Sequence, residues 1–372
     1  MTVTNSRTAS DPVEDVVVIG AGVAGLTAAY ELRAHSPLVL EADDIIGGRV
    51  RTVDVEGVPM NLGAEYWVNA PGDPYPRGLL AEIGVELTSR MDDGRGGLVI
   101  GGQHIAATSA DELADGLGFS AAARDDLVRT SGRVAATIDR LWTSADGAQL
   151  GAELMTTSAA DWLGTVDPAV RRLYDDLAMI TPGSALDHLH ALSFIVLIPS
   201  IGGTAGHQWG AEVILGGSAR LAQALASRGS RPPVLGAHVV DVSAADEVSG
   251  PTAGARVRYF RDGELHAVTA RHVIVATPAS VAAAMCRTLP DWKLGALREV
   301  SYAAWSSVDV VAEFDDPVSW ASSGTIPFLD GPVSLLLNNG PIGDDRTLAV
   351  RLLTGGVRAE PYFDSGIERL QA

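Results

Sequence analysis

One stretch near the start of the chain, VVVIGAGVAGLTAAYELRAHSPLVLEADDIIGGRV at residues 16–50, does most to constrain the fold. Its opening apolar run, Val16–Ile19, is typical of a parallel strand that is buried on both faces. A glycine turn follows, and the pattern then predicts a helix from Val23 to about Ala34 and a second strand at Leu38–Leu40. We therefore expect a right-handed βαβ unit at the start of an α/β fold.

The turn carries three glycines in the spacing Gly-x-Gly-x-x-Gly, and each has its own physical role. Gly20 permits the tight turn out of the strand, Gly22 lets the backbone approach a pyrophosphate, and Gly25 allows the helix to pack closely on the strand. The helix N-terminus adds unpaired N–H groups that attract phosphate. Glu41 ends the second strand at close to the ~20-residue spacing of an acid that binds ribose hydroxyls. The pattern predicts a dinucleotide site and leaves NAD and FAD open.

A group of three residues that follows Glu41 in the sequence narrows the choice of dinucleotide. Gly47 and Gly48 place two backbones without side chains near the first phosphate, and Arg49 places one guanidinium there. A guanidinium suits a diphosphate because its planar fork binds two oxygens at once. With this tail, the stretch predicts an adenosine-diphosphate site of the kind that holds FAD.

Length and charge exclude several classes of function. The chain has 372 residues, enough for two domains, and a net charge of −19 from 27 basic and 46 acidic residues. That balance argues against binding to nucleic acid or to anionic membrane surfaces. An acidic, solubilising surface explains it best, and a preference for a cationic substrate is the alternative.

The features that bear on location favour the cytoplasm. Cys286 is the single cysteine, so no disulfide forms within the chain. The first residues, MTVTNSRTASDPVED, lack the apolar run of a signal peptide, and we expect a loose tail at 1–13. The central apolar run Ala191–Ile198 is too short to span a bilayer.

Beyond residue 50, short predicted strands and helices alternate. The early part predicts a hairpin at Arg51–Pro59, a helix at Leu79–Ile83 and a second hairpin around Gly101-Gly102. The period then becomes helical, and 110–197 predicts five helices, the last of them in ALDHLHALSFIVLI. Further predicted elements follow in chain order: a helix at Ser218–Ser227, strands at Gly236–Val242, Ala255–Phe260, Leu265–Thr269 and His272–Ala276, a helix at Ala279–Met285, and the strand-like runs SSVDVVAEF, SLLLNN and TLAVRLL, which suit a second sheet.

Several segments, in the same order along the chain, carry a resemblance to a known family. They are VLEADDIIGGRVRT at Val39–Thr52, MNLGAEYW at Met60–Trp67, GGSARLAQALA at Gly216–Ala226, LGAHVVDVS at Leu235–Ser243 and HVIVATP at His272–Pro278. Together with the glycine turn, these segments resemble the flavin-containing amine oxidase family, which includes monoamine and polyamine oxidases.

The resemblance implies a fold, a domain layout and a cofactor. It implies a Rossmann-type, glutathione-reductase-like FAD-binding domain at 14–85 and 212–285, with an inserted α+β substrate domain at 86–211 and 286–372. It implies non-covalent FAD, because Cys286 does not match the family's covalent flavin cysteine. The residues that it assigns to FAD are Gly20, Gly22, Val23, Ala24, Gly25, Glu41, Ala42, Gly47, Gly48, Arg49, Leu62, Gly63, Ala64, Glu65, Val239, Ala276, Thr277 and Pro278.

The activity that the resemblance implies is a two-electron oxidation. A hydride passes from a carbon next to nitrogen to flavin N5, and O2 then accepts the electrons to give H2O2. The substrate class is an amine, an amino acid or an amide. Two alternatives stay open: a C–C desaturase, as in related porphyrinogen and carotenoid oxidoreductases, and a flavoprotein subunit that is inactive until a missing part is supplied.

The sequence departs from the family's pattern at one catalytic position. Family members carry a lysine in a strand of the substrate domain, bonded through water to flavin N5. Asp309 takes its place in SSVDVVAEFDD, and Lys293, the single lysine of the chain, lies earlier. Asp309 is either a replacement polar group or an outward-facing strand residue. The candidate catalytic residues are therefore Glu65, Tyr66 and Asp309.

The remaining expectations concern the pocket, partners and metals. Tyr66, Trp67, Asn69 and Phe194 are candidates for the pocket wall. The family's late flavin-binding segment has no counterpart here. We expect a longer protein, or a homodimer or complementing chain that completes the site, and loss of the segment is the remaining alternative. His188 and His190 do not share a helix face, and we expect no metal site.

Overall fold

The computed structural model describes residues 13–64, 75–89, 97–180, 183–198, 212–245, 254–302, 304–318, 320, 324–356 and 359. The strands, in chain order, are β1 (Val13–Ile19), β2 (Leu38–Leu40), β3 (Thr52–Val55), β4 (Val58–Asn61), β5 (Leu87–Ser89), β6 (Gly97–Ile100), β7 (Gln103–Ala106), β8 (Glu212–Ile214), β9 (His238–Ala244), β10 (Ala255–Arg261), β11 (Glu264–Val275), β12 (Trp305–Glu313), β13 (Thr325–Pro327), β14 (Leu335–Ile342) and β15 (Asp344–Gly355). The helices are α1 (Val23–Glu31), α2 (Tyr75–Ile83), α3 (Ala110–Gly116), α4 (Ala121–Thr143), α5 (Gly147–Thr156), α6 (Ala159–Leu163), α7 (Pro168–Ile180), α8 (Ala191–Leu197), α9 (Ala219–Ser227), α10 (Ala279–Met285) and α11 (Asp291–Glu299).

Five strands form the sheet that carries the glycine turn, in the order β2-β1-β11-β10-β9. β1 lies parallel to β2 on one side and to β11 on the other, while β10 and β9 continue the sheet antiparallel. The predicted βαβ unit is confirmed, with β2 at the predicted residues. β1 begins earlier than predicted, because Val13, assigned to the loose tail, pairs with Thr269 of β11.

The two faces of this sheet are both covered, which explains the unbroken apolar run in β1. Val16 and Val18 belong to an apolar cluster with side chains of α1, α2 and α9. Val17 and Ile19 belong to a second cluster with side chains of α10 and the antiparallel strands. A strand that is buried on both faces needs apolar residues at every position rather than at alternate ones.

β11 corrects one prediction, because it is a single strand where the sequence predicted two. Its first half pairs antiparallel with β10, and its second half pairs parallel with β1. The two pairings overlap at Thr269 and Ala270, so the backbone stays extended while the partner changes. The break in the alternation of apolar side chains at this point reflects the change of pairing strand. It does not mark the end of β11.

The helical block contains α3 to α8 and differs from the prediction in two places. α5 was not predicted, and only the end of ALDHLHALSFIVLI is helical, as α8. His190 has extended backbone angles and is the N-cap of α8, since its ring nitrogen Nδ1 accepts a hydrogen bond from the Ser193 N–H at 3.2 Å. The two histidines therefore do not lie together on one helix, although the prediction of no metal site rested on that assumption.

Tyr174 of α7 lies in the core of this block and makes folding stability depend on pH. Burial raises the pKa of Tyr174 to about 12, whereas an unfolded tyrosine ionises near pH 10. The folded state favours the neutral phenol, so the stabilisation is complete below pH 10 and is lost as the pH rises through 12. At pH 11 we expect this group to lower the free energy of unfolding by about 1.4 kcal/mol.

Urea titrations at pH 8.5 and pH 11 check this expectation. Tyr174→Phe removes the ionisable hydroxyl. The free energy of unfolding of this variant is therefore expected to fall less between pH 8.5 and pH 11 than that of the wild type. Tyr302→Phe makes the same change at a residue that is 53% exposed and serves as the control. Equal losses in the wild type and Tyr174→Phe would contradict the expectation.

The late strands form a second sheet, as predicted, in the order β12-β15-β14-β13. All of its pairings are antiparallel, and β12 faces β15 from Trp305 to Glu313 without a break in register. The predicted hairpins are also confirmed, as β3–β4 and as β6–β7, where Gly101 and Gly102 both have positive φ. β13, β5 and β8 were not predicted.

This arrangement confirms the predicted α/β class, with a Rossmann-type βαβ start and a separate antiparallel sheet. The boundaries at 14–85, 86–211, 212–285 and 286–372 stay a prediction. Within the described residues, none of the helices combines the length and the apolar character that crossing a bilayer requires.

Candidate functional site

The site is built around the turn between β1 and α1, where Gly20 and Gly25 are in close contact. Gly20 has φ +100°, and its N–H donates to the Leu40 carbonyl at 2.8 Å. A Cβ on Gly25 would lie 1.9 Å from the Gly20 carbonyl oxygen, so only glycine fits there. These two glycines bring the start of the helix against the end of the strand.

The N-terminus of α1 is not capped by a side chain and has the features of an anion site. Gly22 is the N-cap, no side chain caps the helix, and its first turn contains no acidic residue. The first N–H groups of a helix have no partner within the helix, and they carry a partial positive charge. A Cβ on Gly22 would meet nothing within 4 Å, so open space adjoins this backbone.

A second glycine pair lies beside the first and completes a backbone cradle. Gly47 forms a parallel bridge with Gly22, and its N–H donates to the Ala21 carbonyl at 2.8 Å. Gly48 has φ +56°, and a Cβ there would lie 3.5 Å from the Gly22 Cα. Two chain segments without side chains therefore run together at the helix N-terminus.

Glu41 lies at the edge of this cradle, at the end of β2, and backbone groups hold its carboxylate. Oε2 accepts from the Ala21 N–H at 2.5 Å, and Oε1 accepts from the Asp43 N–H at 3.0 Å. The Glu41 backbone pairs with the connection between α9 and β9, donating to the Val234 carbonyl and accepting from the Ala237 N–H. A carboxylate fixed in this way keeps further lone pairs for hydroxyl donors.

The predicted adenine residue lies on β9 of the five-stranded sheet, and the predicted turn residues follow β11 of the same sheet. Val239 of β9 is half-buried and belongs to the same apolar cluster as Leu40. Ala276 follows β11 directly, and its N–H donates to the Ile19 carbonyl at 2.9 Å. Thr277 and Pro278 continue from it into α10, with Pro278 as the N-cap. Ala42 and Ala24 are exposed beside the cradle.

Arg49 and its neighbour Arg51 have different surroundings. The Arg49 side chain is exposed at the edge of the cradle. Arg51, which the sequence interpretation missed, forms an ion pair with Asp43, and its Nε donates to the Gly48 carbonyl at 3.0 Å. Arg51 therefore holds the glycine pair in place and leaves Arg49 available for a ligand. The alternation of the two arginines in GRVRT was the available signal.

The segment Leu62–Ala64 runs beside Arg49 in close backbone contact. The Ala64 N–H donates to the Arg49 carbonyl at 2.8 Å, and the Leu62 N–H donates to the Arg51 carbonyl at 2.7 Å. A Cβ on Gly63 would lie 2.0 Å from the Arg49 carbonyl oxygen, so this position requires glycine. The other candidates in this segment, Glu65, Tyr66, Trp67 and Asn69, lie outside the described residues.

A buried polar cluster, which the sequence interpretation also missed, anchors the start of this segment. The Asn61 side-chain oxygen accepts from the Ser218 N–H at 2.7 Å, from the Ser218 hydroxyl at 2.9 Å and from the Thr52 hydroxyl at 2.8 Å. Thr52 in turn accepts from the Ala219 N–H at 3.0 Å. This cluster ties the β3–β4 hairpin to the start of α9.

Asp309 lies in β12 opposite Arg351 of β15, and the two form a bidentate ion pair. Arg351 Nε and Nη2 donate to the two Asp309 carboxylate oxygens at 2.9 and 3.2 Å. The Arg351 side chain is 1% exposed and that of Asp309 is 14% exposed. Asp309 therefore faces inward, which excludes the outward-facing alternative, and its charge is matched by a residue that the sequence interpretation did not single out.

Phe194 and Cys286 lie in apolar surroundings. Phe194 is fully buried and contacts the rings of Trp162 and Tyr174, with centroids 6.0 and 5.5 Å away. It belongs to the helical core, and its assignment to a pocket wall stays a prediction. Burial raises the pKa of the Cys286 thiol, which disfavours the reactive thiolate. Within the described residues, no group of three or more His, Cys, Asp or Glu side chains is placed to hold a metal ion.

The sequence matches the model of one protein family and the sequences of several named proteins. The family described as flavin containing amine oxidoreductase matches residues 23–351. A protein of Mycobacterium tuberculosis named flavin-containing monoamine oxidase AofH is 43% identical over 83 residues, 22% of this chain and 18% of that protein. Coproporphyrinogen III oxidase of Mycobacterium leprae is 32% identical over 165 residues, 43% of this chain and 32% of that protein. The matches thus span less than two thirds of these relatives.

Solved structures extend the likeness to nearly the whole chain. Putrescine oxidase bound to putrescine has a TM-score of 0.69 at 20% identity, covering 97% of this chain and 79% of that one. Cyclohexylamine oxidase from Brevibacterium oxydans has a TM-score of 0.67 at 21% identity, covering 97% and 79%. At these identities the likeness establishes the fold. The family match over residues 23–351, on a fold shared with these oxidases, shows that the chain belongs to the flavin containing amine oxidoreductase family, whose cofactor is FAD.

Proposed function

We propose that this chain binds FAD non-covalently across the N-terminus of α1 and oxidises the C–N bond of a small amine, amino acid or amide. The observation that carries the proposal is the cradle formed by Gly22 and Gly47-Gly48. It presents helix N–H groups that no side chain caps, and a Cβ on Gly22 would meet nothing within 4 Å. A dinucleotide pyrophosphate has the charge and the size that such a cradle accommodates.

Each part of the surrounding structure has a role in this proposal. The helix N–H groups and the exposed Arg49 bind the pyrophosphate, since both supply charge-assisted hydrogen bonds. Glu41, held by two backbone N–H groups, accepts the ribose hydroxyls, and Val239 lies against the adenine. Leu62–Ala64, Glu65 and Ala276–Pro278 contact the rest of the cofactor. Cys286, the single cysteine, is buried in an apolar cluster of the five-stranded sheet, which supports a non-covalent attachment.

When bound, FAD supplies a two-electron acceptor that takes a hydride from the carbon next to nitrogen and passes the electrons to O2, giving H2O2. The chain contributes orientation and electrostatics. Because Arg351 engages both carboxylate oxygens of Asp309, that aspartate does not serve as a general base. The amine must therefore find any proton acceptor among other groups, and Glu65 and Tyr66 are the candidates that the sequence supplies.

A second function is desaturation of a C–C bond, and two observations favour it. The position that resembles the family's lysine holds an aspartate in an ion pair, so this part of the site offers no free ammonium beside the flavin. The match to coproporphyrinogen III oxidase also covers 43% of this chain, against 22% for the monoamine oxidase AofH. A porphyrinogen or another reduced polycycle is the substrate class in this case.

One assay separates these functions. The purified protein is saturated with FAD and checked for flavin absorbance. It is then mixed with a panel of diamines, cycloalkylamines, amino acids and amides, and with a porphyrinogen, while H2O2 release and flavin bleaching under anaerobic conditions are recorded. Amine-dependent bleaching and peroxide support C–N oxidation. Bleaching by the porphyrinogen alone supports desaturation, and a protein that takes up no FAD contradicts both.

A further inference from the structure

The buried arginine of the second sheet makes a contact beyond its ion pair. Among the residues that the structure describes, Arg351 is the largest side chain that is fully buried. While its Nε and Nη2 bind Asp309, its Nη1 donates to the Gly63 carbonyl at 3.2 Å. This bond joins β15 to a loop that is 288 residues away in sequence. The planar guanidinium makes all three contacts because its donors form a rigid fork.

The Gly63 peptide is thereby held from two sides. On one side, the Arg49 carbonyl oxygen accepts a hydrogen bond from the Ala64 N–H. The same oxygen would lie 2.0 Å from a Cβ on Gly63. On the other side, Arg351 donates to the Gly63 carbonyl. One contact comes from Arg49, at the edge of the cradle, and the other comes from Arg351 of the second sheet. The position of Leu62–Ala64 therefore depends on both parts of the fold.

We propose that Arg351, oriented by Asp309, is a positioning residue that sets where Leu62–Ala64 lies against the flavin. The inference rests on the proposed function, in which this segment contacts the cofactor. Asp309 acts through Arg351 by fixing the plane of the guanidinium. The Asp309–Arg351 pair lies in the strands that resemble the family's lysine region. It acts on the backbone of Leu62–Ala64 and not on the flavin itself.

A purely structural role would have different consequences, and the double variant D309L/R351M separates the two. Replacing a buried ion pair with apolar side chains of similar size is often neutral for stability. We therefore expect a denaturation midpoint close to that of the wild type. The Gly63 carbonyl loses its donor, however, so FAD binds about tenfold more weakly, which is about 1.4 kcal/mol. The visible circular dichroism of the bound flavin also changes.

Arg351→Lys provides a second measurement in case the double variant fails to fold. A lysine keeps the charge opposite Asp309, so the pair stays neutral, but one ammonium cannot replace a fork that binds a carboxylate and a carbonyl together. We expect weaker FAD binding and an altered flavin dichroism at nearly unchanged stability. The control is D241L/R258M, which removes a cross-strand Arg–Asp pair of the five-stranded sheet, where the Arg258 side chain is 46% exposed.

The outcomes decide between the possibilities. Weaker FAD binding with changed flavin dichroism in R351K or in the folded double variant, but not in the control, supports positioning. Wild-type FAD affinity and dichroism both in R351K and in the double variant, wherever that variant folds, overturn it, even if stability falls, because the pair is then structural. A wild-type protein that binds no FAD overturns the proposed function and this inference together, whereas unaffected variants of an FAD-binding wild type overturn the inference alone.

Discussion

Gly22→Ala is expected to weaken FAD binding about 100-fold while the fold stays intact. The Gly22 backbone has φ −71° and ψ 178°, which any residue adopts, and a Cβ there meets nothing within 4 Å. The methyl group projects instead into the space that we assign to the pyrophosphate. Displacing a phosphate from the helix N–H groups loses one or two charge-assisted hydrogen bonds of ~1.5–3 kcal/mol each.

Titration of apo-protein with FAD, followed by flavin fluorescence, measures this loss. Gly132→Ala is the matched control, because Gly132 lies in α4 and also has nothing within 4 Å of its Cβ position. Its dissociation constant for FAD is expected to equal that of the wild type. An unchanged constant in Gly22→Ala would place the pyrophosphate elsewhere and sink the proposed site.

Gly25→Ala is expected to act on the fold itself, lowering the free energy of unfolding by about 3 kcal/mol. Its Cβ would lie 1.9 Å from the Gly20 carbonyl oxygen and 3.3 Å from the Ala276 Cβ. Both obstacles belong to the packed junction of β1, α1 and β11, which has no flexible side chain to move aside. The helix must shift away from the sheet, and the cradle shifts with it.

Urea titration of the apo-protein tests this expectation, with Gly22→Ala as the control three residues away. The two variants separate the roles of the glycines: one loses affinity at constant stability, and the other loses stability and, through it, affinity. If Gly25→Ala unfolds at the wild-type midpoint, the close helix–strand contact does not exist in solution.

The sequence predicts best those parts of the fold whose cause is local. The unbroken apolar run of β1 follows from burial on both faces, and the ends of β2 and α10 agree with the prediction. Turn glycines such as Gly101 and Gly102 identify hairpins because positive φ is costly for other residues. Burial, turn chemistry and helical period all act within a few residues, so a single sequence records them.

The parts that were missed depend on contacts between distant segments. Nothing near Arg351 shows that its partners are Asp309 and the Gly63 carbonyl, because the pairing of β12 with β15 creates those contacts. His190 was assigned to a helix on apolar neighbours, yet its bridge with Ser158 holds it extended. The FAD-binding roles of Gly22, Glu41 and Val239 stay predictions that the geometry supports.

β11, which pairs parallel with β1 and antiparallel with β10, has a consequence for how the chain folds during synthesis. Arg271 of β11 donates to Asp15 of β1, which lies 256 residues earlier in the chain. At ~5–20 residues per second, a ribosome takes roughly 13 to 50 s to deliver β11 after β1 has emerged. During that interval β1 exposes an apolar edge with no central partner. We therefore expect newly made chains to aggregate more readily during that interval than the finished protein does.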